Sequence, residues 1–191
     1  MTLLISGLAL FLGAHSLRIV ADGLRTSVIA KLGPGPWKGL FTLASLAGLA
    51  LIVVGYGQSR DGTPFFIGGA AARHAAYALV WLGFIGVTAA YWPRNHIKQI
   101  VGDPMVAGVG LWALGHLLVK TTPAALALFG AFLVWALIDY VSLRARAAAA
   151  PPAPNKASVL QTLLALVAGS ALWAVFALFL HKWMIGVSPI A

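Results

Sequence analysis

Six apolar stretches of near-bilayer length follow one another in this 191-residue chain, and together they hold a single acidic residue, Asp139. They run from Thr2 to Leu17, Gly39 to Tyr56, Ala75 to Tyr91, Pro104 to Val119, Ala124 to Leu143 and Val159 to Leu180. A membrane crossing needs roughly 20 apolar residues in a helix, because only there is every backbone group satisfied without water. With 61% hydrophobic and 9% charged residues, the chain reads as all-α, a polytopic integral membrane bundle of about six transmembrane helices forming one domain over residues 1–191.

The turn residues agree with that division. Gly33-Pro34-Gly35-Pro36, Gly62-Thr63-Pro64, Trp92-Pro93, Gly102-Asp103-Pro104 and Thr122-Pro123 all fall between segments. The last of these makes the fourth and fifth helices a hairpin with a very short turn. The alanine- and proline-rich stretch from Ala147 to Pro154 predicts an exposed, flexible loop over residues 144–157.

Thirteen basic residues against four acidic ones give a formal charge of +9, which in a soluble chain would suggest nucleic acid. Here the cations sit in short loops at the ends of apolar runs, where they report orientation. Arg18, Arg25, Lys31, Lys38, Arg94, Lys98, Arg144, Arg146 and Lys156 fall in the odd loops, against Arg60, Arg73, Lys120 and Lys182 in the even ones. The odd loops are therefore expected on the cytoplasmic side and both termini on the outer face. The first segment lacks a basic leader, so it reads as an uncleaved helix.

Within this frame the two intramembrane histidines, His15 and His116, carry the most information, since an ionisable group in a bilayer is costly and marks function. His15 lies roughly 20 Å below the outer end of the first helix and His116 roughly 18 Å above the inner end of the fourth, at a rise of about 1.5 Å per residue. Both depths are near the midplane, within reach of one prosthetic group. His74 opens the third segment, His96 lies in a cytoplasmic loop and His181 closes the sixth at the outer surface, so none matches the depth of His15 as well.

Cysteine is absent and methionine scarce, which leaves imidazole as the natural metal ligand. Two histidines from different helices are the usual way membrane cytochromes hold b-type haem, and Gly13, Ala14, Gly108, Gly110 and Gly115 thin the helices beside them. The same histidines can equally be packing residues that hydrogen-bond between helices, and the glycines ordinary close-packing positions. Asp139 is placed to pair with Arg18.

Five elements carry a family resemblance: Gly13-Ala14-His15-Ser16-Leu17-Arg18, Trp37-Lys38-Gly39-Leu40-Phe41-Thr42-Leu43, Leu111 to Leu118 with its Trp-Ala-Leu-Gly-His core, Trp135-Ala136-Leu137-Ile138-Asp139, and His181 through Gly186-Val187-Ser188-Pro189. In that order and over nearly the whole chain, they resemble the NnrU family. The resemblance implies a bacterial inner-membrane protein associated with nitrite and nitric oxide reduction. The family is also similar to the plastid 15-cis-zeta-carotene isomerase, a haem b membrane enzyme, which implies haem b with His15 and His116 at the ligand positions. If haem is held there, Arg18, Arg25 and Arg94 are candidates to meet its propionates. The chain departs from the wider pattern at Asp103-Pro104, where His-Pro is frequent, and at Lys120-Thr121-Thr122, where Asn-Gly-Asp is common.

Three functions follow as expectations. One is a haem b protein supporting denitrification through electron transfer, sensing or maturation of a nitrite or nitric oxide reductase. Another is a haem-dependent cis-trans isomerase of a carotenoid-like polyene, with the aromatic residues lining its pocket. The last is a cofactor-free membrane scaffold for a reductase. A methyltransferase of the isoprenylcysteine type shares the helix topology and ranks below these for want of a polar cofactor site. Hydrolysis and phosphoryl transfer are disfavoured, because the chain has no Gly-rich phosphate loop, paired carboxylates or activated nucleophile.

Overall fold

The computed structural model describes residues 1–149 and 156–190. Long apolar helices dominate: α1 (Thr2–Val20), α3 (Pro34–Ser59), α4 (Ala70–Tyr91), α7 (Pro123–Ala148) and α8 (Val159–Ile185) are each long and apolar enough to cross a bilayer. The sixth apolar helix, α6 (Pro104–Val119), has 16 residues and so spans only about 24 Å, short of a 30 Å core. Leucines and valines point outward throughout; Leu43 and Val167 are each 67% exposed, as expected of side chains solvated by lipid.

Glycine lets the helices approach closely, most tightly at two of the seams. A Cβ on Gly7 of α1 would stand 2.6 Å from the backbone nitrogen of Ile52 on α3, and one on Gly108 of α6 would stand 2.5 Å from the carbonyl oxygen of Gly83 on α4. Between lipid-bathed helices, where no water is released, such backbone contact is the main source of association. The buried core lies between these seams, built of Leu4, Leu8, Ile52, Ala113, Ala124, Ala125, Leu128 and Phe129.

One end of the bundle gathers both chain termini, and we call it the terminal face. The Met1 amino group donates to Ser59 Oγ (2.7 Å), Arg60 donates to the carbonyl of Ile185, and Tyr77 donates to that of Pro189 (2.7 Å). A two-residue antiparallel ladder ties the loop after α3 to the α6–α7 turn, with β1 (Phe66–Ile67) paired to β2 (Lys120–Thr121) in the register Phe66 to Thr121. At the opposite, basic face, Asn95 is 1% exposed and caps the short helix α5 (His96–Val101) by accepting from the Lys98 amide (2.8 Å).

The structure departs from the sequence reading at three boundaries. Residues Asp22–Leu32 form a further helix, α2, that buries no side chain and so leaves no periodic burial signal. Pro34 and Pro36 open α3 instead of preceding it, because a first-turn residue has no helical partner for its N–H in any case. The loop expected over residues 144–157 begins later, since α7 continues to Ala148; residues 150–155 lie outside the described residues.

Two helices contain a π-helical turn: Leu126–Gly130 within α7 and Phe176–Leu180 within α8. Such bulges cost helical regularity and cluster at functional sites.

Candidate functional site

His15 and His116 are prepared in the same way. The Nδ1 of His15 lies 2.7 Å from the carbonyl oxygen of Phe11, and that of His116 lies 2.8 Å from the carbonyl oxygen of Trp112, each one turn earlier on its own helix. A carbonyl only accepts, so in each ring Nδ1 carries a proton, and in the neutral ring it is Nε2 that keeps the lone pair. This is the tautomer of a metal-binding imidazole oriented by a backbone carbonyl.

Their surroundings differ. The His15 ring stacks on Phe11 (centroids 4.2 Å apart) and meets Phe41 (4.9 Å) and the edge of Trp135 (6.1 Å). It lines an open cleft of about 240 Å3 together with Ala14, Leu17, Arg18, Arg25, Trp37 and Phe41. Beside it the buried indole nitrogen of Trp135 has no hydrogen-bond partner, a donor whose desolvation is uncompensated.

The His116 ring instead stacks on Phe129 (4.4 Å, 17° between planes), a residue of the first π turn, and leans on Trp112 (5.2 Å). Its nearest imidazole is His181, 6.5 Å away with the two planes 15° apart. His181 directly follows the second π turn, and Phe176 of that turn meets it edge-on at 5.9 Å. The Nδ1 of His181 also lies against a carbonyl oxygen, that of Val187 (2.6 Å), which leaves this Nε2 bare as well.

The expected pairing of His15 with His116 is thus not a contact in the structure. Their neighbours on α7, Trp135 and Phe129, are six residues apart, a step of about 9 Å along the helix. Phe132 occupies the level between, touching Phe11 (5.7 Å) on one side and Trp112 (5.5 Å) on the other. From the sequence His181 was set at the outer surface and His116 near the midplane; in the structure α6 keeps the expected bounds, Pro104–Val119, and His116 stands within a turn of its end at the terminal face.

Other assignments are corrected or refined. Asp139 pairs with Arg146 (3.8 Å) and not with Arg18, since Arg146 is two turns further along the same face of α7. Arg18 and Arg25 do share a cleft with His15, and Arg25 is held by Asp22 (3.3 Å). Arg94 does not line that cleft; it adopts φ 45° in the turn before α5, and its backbone carbonyl accepts from the Ser158 amide (2.7 Å). His96 is bound to Thr162 Oγ1 through both its amide and its ring (2.9 Å each), and His74 meets only the edge of Tyr77 among aromatic neighbours. Gly108 and Gly115 face α4 backbone and side chains, so these two thin the helix for its neighbour; around Gly13 there is open space.

Among the described residues no group of three or more His, Asp or Glu side chains is close enough to hold a metal ion. A tetrapyrrole, which carries four of its own donors, needs only one or two imidazoles from the protein. The donor chemistry of His116 and its apolar, aromatic setting fit such a group.

The family model described as "NnrU protein" matches residues 3–189. The chain belongs to the NnrU family. The match takes in all the helices, the two π turns and His15, His116 and His181 of this NnrU chain. Comparison with curated proteins and with solved structures gives no match.

Proposed function

We propose that this NnrU protein binds haem b in a bacterial cytoplasmic membrane and serves the reduction of nitrite or nitric oxide. The observation that carries this reading is His116: an intramembrane imidazole, fixed by the Trp112 carbonyl with Nε2 bare, stacked on an aromatic ring of a π turn. A haem b bound through His116 would supply one-electron chemistry for the reduction of nitrogen oxides. The chain's part is to fix the imidazole's tautomer and to exclude water with Trp112, Phe129 and Leu117. At the basic face, Arg18 and Arg25, which line the cleft beside His15, offer guanidinium partners to anionic groups, propionates of a tetrapyrrole among them.

Placement in the membrane follows from charge. Nine of the thirteen cations lie in the loops of the basic face, which supports a cytoplasmic basic face and periplasmic termini. Alkaline phosphatase fused after Ala191 is expected to be active; an inactive fusion with an active one in the Gly102 loop would reverse the orientation.

The test of the reading is haem content and physiology together. Protein purified from haem-replete cells is expected to carry one haem b per chain, lost in His116→Ala, and a deletion strain to accumulate nitrite or nitric oxide under denitrifying growth. A colourless protein from such cells, or unchanged nitrogen-oxide turnover, would count against it and favour a cofactor-free scaffold for a reductase.

A second reading, isomerisation of a carotenoid-like polyene, is favoured by one observation. An aromatic groove of about 200 Å3 between α4 and α8 is lined by Tyr77, Ala78, Trp81 and Trp173. Conversion of a cis-polyene by the haem-loaded protein, abolished in Trp81→Ala, would support it.

A further inference from the structure

We infer that the residue trans to His116 on the iron is His181, not His15. The inference rests on the haem reading above and deepens it. With metal–imidazole bonds of about 2 Å and about 1.1 Å from ring nitrogen to ring centre, two imidazoles on opposite sides of one iron have centroids roughly 6 Å apart. The His116 and His181 centroids are 6.5 Å apart and their planes are within 15° of parallel, a separation close to that of two ligands on one iron.

Both rings are also oriented from behind. Trp112 O and Val187 O take the two Nδ1 protons, so both Nε2 atoms keep free lone pairs. The carbonyl that serves His181 is itself held in place by a folded-back tail. Gly186 turns the chain with φ 78°, Arg60 donates to Ile185 O, and Tyr77 donates to Pro189 O. The tail motif from His181 to Pro189 thereby acquires a purpose: it is the outer support of one ligand.

Local distortion points to the same place. Both π turns present an aromatic ring to this pair, Phe129 to His116 and Phe176 to His181, so the two interruptions of regular helix among the described residues converge on one site. His15 shares the carbonyl-held Nδ1 but has no second imidazole opposite it and no π turn stacked on its ring, and it is separated from His116 by Phe11, Phe132 and Trp112.

The test is the iron spin state in the full-length protein, purified in detergent and loaded with haemin. Electron paramagnetic resonance is expected to show low-spin iron in the intact protein and in His15→Ala, and high-spin iron in His181→Gly. Millimolar free imidazole is expected to return His181→Gly to low spin, which a merely misfolded variant would not do. His181→Met, which keeps a ligating side chain, provides a second check: it is expected to retain haem with an altered low-spin signal.

High-spin iron in His15→Ala, or low-spin iron persisting in His181→Gly without added imidazole, would overturn the pairing while leaving haem binding intact. An intact protein that takes up no haemin at all would defeat the haem reading, and the pairing with it.

Discussion

His15 and His116 share a backbone-fixed tautomer, yet the two ends of the bundle treat them differently. At the basic face His15 borders an open cleft between α1 and α3, on regular helix, among arginines and beside an unpartnered indole. Toward the terminal face the half-buried His116 stacks on Phe129 of the buried core, between two π turns and opposite a second imidazole. The difference teaches that an intramembrane histidine is not by itself a ligand site. What sets the surroundings of His116 apart is a buried aromatic shell, distorted helix and a second carbonyl holding a second ring.

The largest effect is expected where the core is closest. Gly83→Leu puts a side chain against the backbone of Gly108 and Trp112 in the seam that carries His116, a clash worth about 1–3 kcal/mol or more. Gly13→Leu, two residues from His15, meets open space and is expected to leave stability unchanged. Thermal unfolding in one detergent measures both, and equal losses would erase the contrast between the two regions.

Next in size is the pair of phenylalanines under the rings. Phe129 is 6% exposed, so Phe129→Ala opens a cavity beside His116 at a cost of about 3 kcal/mol. Phe41→Ala at the open cleft is expected to cost less than half of that by the same unfolding measurement.

A smaller loss belongs to the tail. Gly186 holds φ 78°, a left-handed conformation that a β-branched residue adopts only at a cost of about 1–2 kcal/mol. Gly186→Val is therefore expected to loosen Val187 from His181 and to raise hydrogen exchange across Gly186 to Pro189, without affecting the His15 cleft.

The smallest effect is electrostatic. The pair of Asp139 and Arg146 is partly exposed at the basic face, and Asp139→Asn is expected to change stability by at most about 1 kcal/mol. Arg18→Glu is expected to leave that pair in place. Should it destabilise the fold as much as Phe129→Ala, the basic face is more tightly coupled to the core than the structure indicates.

Much of this was legible beforehand. The six apolar runs and the tight Thr122-Pro123 turn between the last-but-two and last-but-one of them are fixed by lipid solvation and backbone satisfaction, which act on composition and leave a plain trace. The α2 helix was not legible, because Asp22–Leu32 buries nothing. Nor were the π turns: Leu-Ala-Leu-Phe-Gly and Phe-Ala-Leu-Phe-Leu read as ordinary apolar helix, and the extra residue per turn is set by packing around them. His181 was visible as a member of a motif but not as a neighbour of His116, since that depends on how α6 and α8 sit against each other and on the fold-back at Gly186.

The central claim is that His116 ligates a haem iron. It is tested most directly by the absorption spectrum of the purified protein, oxidised and dithionite-reduced, for the intact chain and His116→Ala. The account predicts sharp reduced α and β bands in the intact protein that are absent from the variant; bands of equal strength in both, or in neither, would contradict it.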